Sequence, residues 1–257
     1  MEDKVLKKRI LAGERVFGAF FKMSDMNLVD MFAESGFDFL IADCEHGSFS
    51  HREVEQFVRA ADAAGIASVI RVASPNEENI LHAMDAGADG VQLPGLESVE
   101  EAEKALQYAK YYPLGKRGYS TAQRAARFGM WKKEQPYIEY ANENSLTIAH
   151  VENVEMAKKI KELALISTLD VIFVGPGDLS QSMGLPGKPN SPEVDDLMAK
   201  VFEDALTQGK IVGSIAATPE KLEKLINMGA RYLVYASDVV HIKKALIAAG
   251  QIISKVR

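Results

Sequence analysis

Side chains that can do chemistry stand directly after several short apolar runs of this 257-residue chain. Asp43-Cys44-Glu45-His46 follows the second run, Arg71 lies at the end of the third, and Glu152 follows the fifth. The segment Gly175-Pro176-Gly177-Asp178-Leu179-Ser180 follows the sixth run. Carboxylate, imidazole and guanidinium groups arranged in this way suit proton transfer beside a bound cation.

Glu152 and Asp178 are the candidate metal ligands. Two carboxylates on neighbouring strands suit a hard divalent cation such as Mg²⁺ or Mn²⁺, which leaves coordination positions open for an oxygen-rich substrate. The alternative is that both acids only interact with the positive ends of helix dipoles. Their position at strand ends favours metal binding.

Arg71 and two histidines complete the set of reactive side chains. Arg71 presents a planar fork of donors that suits a carboxylate or a ketone oxygen, although a strand-end arginine also serves in ion pairs. His46 suits general-base chemistry near neutral pH if an acid such as Asp85 orients its ring. His150 also stands at a strand end, whereas Cys44 has no base to activate it and is interpreted as a packing residue.

The segment Gly175–Ser180 is predicted to turn from a strand into a helix. Its backbone N–H groups are therefore able to hold an anion such as a carboxylate. The segment is not a GxGxxG fingerprint, and it lacks the lysine of a P-loop. On its own it also fits a simple tight turn.

Eight short runs rich in branched and aromatic residues predict the strands that position these groups. They alternate with amphipathic stretches such as Val54–Ala64 and Ala157–Leu165, as expected of parallel βαβ units. The length suits one closed barrel, so we predict a (β/α)8 TIM barrel with a single domain over residues 1–257. The predicted strands are Val16–Phe21, Phe37–Ala42, Ser68–Val72, Gly90–Leu93, Leu146–Val151, Asp170–Val174, Ile211–Ile215 and Tyr232–Tyr235.

Capping residues support this alternation of strands and helices. Two irregular stretches interrupt it, from Pro113 to Asn144 and from Met183 to Pro192. We expect the first to cover a site and the second to be another lid segment. The predicted helix N-caps are Ser74, Ser98 and Thr218, and the predicted helix stops are Gly36, Gly87 and Gly229.

The composition narrows the classes of partner. A formal net charge of −6 argues against nucleic acid, because nucleic-acid binders carry a basic stripe. No apolar run approaches the roughly 18 residues needed to cross a bilayer. The segment Met1–Ile10 is charged and unlike a signal peptide, and Cys44 is the single cysteine. We expect a cytoplasmic protein.

Four motifs together resemble the class II pyruvate aldolases of the HpcH/HpaI family. They are Asp43-Cys44-Glu45-His46, Gly115-Lys116-Arg117-Gly118, Val151-Glu152 and Gly175–Ser180, and the resemblance extends from about Phe17 to Leu246. It implies a reversible aldol reaction in which pyruvate, or a related enolate donor, combines with an aldehyde to give a 2-oxo acid. It also implies a divalent cofactor, Mg²⁺, Mn²⁺ or Co²⁺.

The resemblance assigns roles to individual residues. Glu152 and Asp178 would bind the metal. Arg71 would hold the keto oxygen and stabilise charge as the enolate forms. His46, supported by Asp85, would take part in proton transfer.

The resemblance also implies how the rest of the substrate is held. The amides of Gly177 and Asp178 would receive the carboxylate, and Ile215 would set acceptor size by apolar contact. His150 stands where many members have glutamine two residues before the metal-binding glutamate, and it is expected to bind the substrate. It could also add a nitrogen ligand, alter the water network, or mark a branch that handles another 2-oxo acid or aldehyde. A homo-oligomer in which the last helix is exchanged with a neighbour is implied as well.

Two alternatives stay open at this stage. One is a citryl-CoA-lyase-like enzyme or another enolate-forming barrel, although no basic cluster for CoA phosphates stands out in the sequence. The other is a barrel that has lost catalysis and serves as a binding module, with His150 as the first sign of that loss.

Overall fold

Eight parallel strands close into a barrel in the computed structural model, which describes residues 5–257. Each strand pairs with the next along the chain, and the eighth pairs with the first. The predicted (β/α)8 barrel is confirmed; the first four residues of the predicted domain, and of the charged N-terminal segment, lie outside the described part. The strands are β1 (Val16–Phe21), β2 (Phe39–Asp43), β3 (Ala67–Arg71), β4 (Gly90–Leu93), β5 (Leu146–Val151), β6 (Val171–Val174), β7 (Ile211–Ala216) and β8 (Tyr232–Ser237).

Helices return the chain from the end of one strand to the start of the next. Among the described residues, none of them is long and apolar enough to cross a membrane. The helices are α1 (Leu6–Leu11), α2 (Asn27–Glu34), α3 (His51–Ala64), α4 (Glu77–Asp85), α5 (Val99–Ala109), α6 (Tyr137–Asn144), α7 (Val154–Lys158), α8 (Ile160–Leu163), α9 (Pro176–Ser182), α10 (Pro192–Thr207), α11 (Pro219–Asn227) and α12 (Asp238–Val256), with a 3-10 helix at Arg124–Gly129.

Two of the three predicted N-caps are confirmed and one is wrong. Ser98 and Thr218 accept hydrogen bonds from backbone amides in the first turns of α5 and α11. At α4 the cap is Asn76, whose side chain accepts from the amide of Asn79 over 2.9 Å. Asparagine caps at least as well as serine. Ser74 instead accepts a hydrogen bond from the Asn76 side chain.

Aromatic rings fill the inside of the barrel. Phe39 stacks on Tyr232 with ring centroids 4.5 Å apart, and Phe173 meets Phe20 edge to face. A β-carbon on Gly18 would lie 2.3 Å from the ring of Phe39, so any larger residue at this strand position would displace that ring. A second apolar layer lies between the strands and the helices, which is why the strands read as continuous apolar runs.

The irregular segment of residues 113–144, between β4 and β5, is called the excursion below. It lies at the end of the barrel where the strands begin. It follows the C-terminus of α5, and its Arg124 pairs with Asp62 near the end of α3 and donates to the carbonyl of Ala86 after α4. The expectation that this segment covers the site of its own chain is therefore wrong. A helix that follows a strand ends at the opposite rim from the strand's carboxyl end.

Lys110 anchors this excursion from inside the protein. Its ammonium is buried and donates to the carbonyls of Asn142 and Ser145, at 3.0 and 2.7 Å, and to the Ser145 hydroxyl at 2.8 Å. Burial lowers the pKa of Lys110 to about 7. The two ends of the excursion are thus tied together by one side chain.

Replacing Lys110 by methionine is expected to lower the free energy of unfolding at pH 7 by about 2 kcal/mol, because two buried carbonyls lose their hydrogen-bond donor. The unfolded chain binds a proton at Lys110 up to its ordinary pKa of 10.5, whereas the folded chain releases it near 7. The contribution of Lys110 to stability therefore rises with pH across this window. Urea unfolding of both proteins at about pH 7 and pH 9.5 measures it, and a stability difference that shrinks with pH would contradict it.

Candidate active site

Asp43 and Arg71 form a two-pronged ion pair at the carboxyl ends of β2 and β3, where they are register partners. Arg71 Nε donates to Asp43 Oδ1 over 2.9 Å, and Nη2 donates to Oδ2 over 2.7 Å. Lys22 Nζ lies 3.0 Å from the same buried carboxylate. Burial alone would raise the pKa of Asp43, but the hydrogen bonds and charge of Arg71 lower it to about 2. Asp43 is therefore ionised and fixes the guanidinium.

Arg71 keeps donors free although it is paired. Asp43 accepts two of its five N–H groups, and the guanidinium lies over the ring of Phe20, 4.5 Å from the centroid. The ion pair that the sequence analysis gave as an alternative role for Arg71 is present. It holds Arg71 in a defined orientation, which suits a substrate-binding role as well.

Glu45 forms an ion pair with Arg71 in which its buried oxygen receives no well-directed hydrogen bond. Its Oε2 atom is buried without a hydrogen bond to any described residue, although Arg71 Nη1 lies 2.9 Å away. Burial raises the pKa of Glu45, with Arg71 acting to lower it and the charge of Glu152 to raise it further. Glu45 and Glu152, with Asp43 and Arg71, lie at the carboxyl-end rim of the barrel, which is called the mouth below. Two carboxylates that repel each other there are stabilised by a bound cation.

Glu152 is held at both of its oxygens just after β5. Oε1 lies 2.7 Å from His150 Nδ1, and Oε2 accepts from the amide of Gly95 over 3.1 Å. Burial opposes ionisation, but the charge and hydrogen bond of His150 lower the pKa of Glu152 to about 2. A β-carbon on Gly175 would lie 2.8 Å from Oε1, so the strand-to-helix turn is shaped around this carboxylate.

Asp178 lies in the first turn of α9, directly after β6. It is exposed, as is Gly177 before it. Because Gly175 contacts Glu152, the start of α9 and the end of β5 meet at the same rim. Ile215, near the end of β7, is partly buried against the inner core.

The donor set fits a hard divalent cation. Within residues 5–257 no three histidine, cysteine or acidic side chains gather at a metal-binding distance. Glu152 and Asp178 follow neighbouring strands at this rim, and carboxylate oxygens are the donor type that suits Mg²⁺ or Mn²⁺, since such ions keep several waters and bind substrate oxygens.

The structure does not bring His46 and Asp85 together within one chain. His46 follows β2 at the mouth, with Nε2 3.9 Å from Glu45 Oε2. Asp85 is the last residue of α4, at the opposite end of the barrel, where it accepts from Arg117 over 2.6 Å. A pairing of His46 with Asp85 inside one subunit is therefore wrong, because a helix that follows a strand ends at the other rim.

His150 is not open to substrate. Its side chain is fully buried, with Nε2 3.1 Å from Gln92 Oε1 and Nδ1 facing Glu152. The expectation of direct substrate contact is contradicted, since the ring lies behind the carboxylate that faces the mouth. The burial follows from its place inside β5, where it stacks on Phe173.

Sequence reasoning missed Lys22, Gln92 and Tyr232. Lys22 directly follows β1, so the rule that singled out residues after strands would have found it. Gln92 is a polar residue in the middle of a buried strand, which marks an interior hydrogen bond. Tyr232 begins β8 and gives no such signal. Burial raises the pKa of Cys44 to about 12, in keeping with its interpretation as a packing residue.

A separate cleft lies away from this mouth. Its volume is about 790 Å³, and the excursion lines much of it. Arg127, Lys132 and Lys133 stand there beside Trp131 and Tyr140. Asp85 and Arg117 belong to the same end of the barrel, so this cleft is not the place where the strand-end carboxylates meet.

The closed barrel and its acidic rim define a (β/α)8-barrel protein with its reactive groups at the carboxyl ends of the strands. More narrowly, the chain belongs to the HpcH/HpaI aldolase/citrate lyase family, whose model matches residues 16–245.

Individual relatives agree with this membership. The chain is 30% identical over 252 residues to a hydroxypyruvate/pyruvate aldolase of Paraburkholderia phytofirmans, covering 96% of each. A family protein of Burkholderia cenocepacia superposes with a TM-score of 0.91 at 28% identity, covering 97% of this chain and 98% of that one. The citrate synthase SbnG gives a TM-score of 0.88 at 28% identity, covering 98% of both chains.

Replacing Gly175 by alanine is expected to displace Glu152, because the new β-carbon would lie 2.8 Å from its carboxylate. We expect Mn²⁺ to bind roughly tenfold more weakly, by analogy with other changes around metal ligands. Gly250→Ala in α12 is the control, since nothing lies within 4 Å of a β-carbon there. Calorimetric titration with Mn²⁺ measures both variants, and equal affinities would contradict the prediction.

Proposed function

We propose that the protein is a divalent-metal-dependent aldolase that reversibly cleaves a 2-oxo acid to pyruvate and an aldehyde. The observation that carries the proposal is the mouth itself, where ionised Glu152 lies beside Glu45, whose carboxylate pairs with the fixed guanidinium of Arg71. Relatives are named hydroxypyruvate/pyruvate aldolase and 4-hydroxy-2-oxo-heptane-1,7-dioate aldolase, which supports the same reaction class, a carbon–carbon lyase.

Glu152 and Asp178 would hold the cation. When bound, the cation supplies Lewis-acid polarisation of the 2-oxo group and balances the negative charge of the carboxylates. Glu152 contributes an oxygen of fixed orientation, while exposed Asp178 is free to adjust to the ion. The exposed backbone amides of Gly177 and Asp178 would receive the substrate carboxylate.

Arg71 would hold the keto oxygen of pyruvate with the N–H groups that Asp43 leaves free. Negative charge grows on this oxygen as the methyl group loses its proton, and a guanidinium already oriented by Asp43 stabilises it without reorganising. Ile215 would border the acceptor aldehyde through apolar contact. His46, half exposed at the rim, would carry the proton.

A homo-oligomer would complete the site. Asp85 is able to orient His46 only across a contact between two copies, since the two residues lie at opposite ends of one barrel. The last helix, α12, buries only Asp238 against its own chain and leaves Leu246 and Ile252 more than half exposed. Exchange of α12 with a neighbour would cover this apolar face.

We propose cytoplasmic localisation without a nucleic-acid partner.

A second candidate is an enzyme that forms the enolate of another donor. The close superposition of the citrate synthase SbnG supports it, because the same barrel is able to host a different carbon–carbon bond-forming reaction. A barrel that only binds metal would be the non-catalytic alternative.

Deuterium exchange into the methyl group of pyruvate, followed by NMR, tests the proposal. We expect exchange with Mg²⁺, Mn²⁺ or Co²⁺ and none after EDTA treatment, because enolisation is the step that the mouth is built to promote. Metal binding without exchange of pyruvate would favour the other donor, or the non-catalytic barrel if no donor exchanges. Exchange that persists in metal-free protein would contradict a metal-dependent mechanism.

Two substitutions separate the roles within the mouth. Asp178→Ala is expected to abolish measurable metal binding, because one of two protein carboxylates is lost. Arg71→Ala should retain the metal yet lower the exchange rate at least a hundredfold, since the stabilised charge appears only as the enolate forms. Metal retained at full occupancy in the first variant, or unchanged exchange in the second, would contradict the assignment.

Introducing charge on the exposed face of α12 tests the oligomer. The double substitution Leu246→Lys and Ile252→Lys is expected to give a smaller particle than wild type, because burying two ammonium groups in an interface is unfavourable. Lys243→Ser, also exposed on α12, is the control. Size-exclusion chromatography with light scattering measures the mass, and a monomeric wild type would contradict the proposal.

A further inference from the structure

We infer that His150 is a positioning residue that orients Glu152 through a buried hydrogen-bond chain reaching Tyr232 by way of Gln92. The inference rests on the proposed function insofar as Glu152 serves there as a metal ligand. The hydrogen bonds themselves join only protein side chains, so they do not depend on a bound metal.

Three contacts make up the chain. Gln92 Nε2 lies 3.1 Å from the Tyr232 hydroxyl, and Gln92 Oε1 lies 3.1 Å from His150 Nε2. His150 Nδ1 lies 2.7 Å from Glu152 Oε1. Gln92, His150 and Tyr232 are each at most 1% exposed. Buried polar groups depend on one another for hydrogen bonds, so each member of the chain fixes the next.

Aromatic packing holds the imidazole plane. The ring of His150 stacks on Phe173 with centroids 4.7 Å apart and an angle of 26° between the planes. Tyr232 is in turn stacked on Phe39 at 4.5 Å. A ring packed on one face and bonded at both nitrogens has one orientation, and it directs Nδ1 at Glu152.

The chemistry of the partners decides which nitrogen carries a proton. An ionised carboxylate only accepts hydrogen bonds, so His150 must donate from Nδ1 to Glu152. The amide of Gln92 can present either its oxygen to an imidazolium or its nitrogen to a neutral ring, and the Tyr232 hydroxyl can accept or donate accordingly. Both arrangements end with the same Nδ1–H donor.

The consequence is a carboxylate that is held at two points. Oε1 is held by His150 and Oε2 by the amide of Gly95, so Glu152 cannot rotate about its terminal bond without losing a contact. The remaining lone pairs then face the mouth in a fixed direction. Outer partners of this kind commonly change metal affinity by 10-fold to 100-fold.

Imidazole ¹⁵N NMR of metal-free protein tests the orientation without any ligand. Loss of signals in His150→Asn identifies those of His150. We expect Nδ1 of His150 to show the shift of a protonated nitrogen, and a bare Nδ1 would overturn the inference. The NMR measurement tests the orientation of His150 even if the wild-type protein binds no metal. Failure to bind metal would contradict the proposed function, but not the inference about His150.

Mn²⁺ titration of four variants gives the second test. His150→Leu removes the donor and should weaken binding about tenfold or more. His150→Asn keeps an N–H near the place of Nδ1 and should recover most of the affinity, while Tyr232→Phe should give an intermediate loss. Tyr235→Phe is the control on β8, since Tyr235 packs in the outer layer.

The pattern of affinities separates positioning from packing. Recovery in His150→Asn together with loss in Tyr232→Phe supports the chain of hydrogen bonds. Wild-type affinity in His150→Leu, or equal loss in His150→Leu and His150→Asn, would overturn the role of the Nδ1–H donor. Thermal unfolding of each variant accompanies the titration, so a general loss of folding is recognised separately.

Discussion

The direction of the strands is the constraint on which the whole molecule depends. Eight parallel strands in a closed ring bring all their carboxyl ends to one rim, and each helix returns the chain to the other. Asp43, Arg71 and Glu152 meet because each lies at or just after the end of a strand. Asp85 and the excursion after β4 lie at the far rim for the same reason, whatever chemistry their side chains offer.

Charge balance shapes the mouth once these groups have met. A buried carboxylate is stable when it is paired, and Asp43 is paired with both Arg71 and Lys22. Glu152 is compensated by His150 and the amide of Gly95. Glu45 shares the single guanidinium of Arg71 with Asp43 and lies beside the charge of Glu152. Three acids thus gather around one arginine and one lysine, and a metal ion would stabilise such a site by balancing the excess negative charge.

Much of this architecture was accessible from sequence because strands and their end residues are encoded locally. Apolar runs and glycine stops marked all eight strands to within a few residues, and the rule about strand ends selected Arg71 and Glu152. The role of His150 was not accessible, because a residue at a strand end points either into the barrel or toward its mouth, and only the packing against Phe173 decides. Pairings between distant segments, such as Asp85 with Arg117, depend on topology and not on local pattern.

The contact between Gln92 and Tyr232 joins β4 to β8, which face each other across the ring of eight strands. These residues are 140 positions apart in the chain, so the contact forms only when the final strand enters the barrel. During synthesis, a ribosome-bound chain that has completed β5 already possesses Glu152 and His150 but lacks the brace that orients them. The full hydrogen-bond chain that orients Glu152 and His150 is therefore a property of the finished barrel, because it is completed only when β8 is in place.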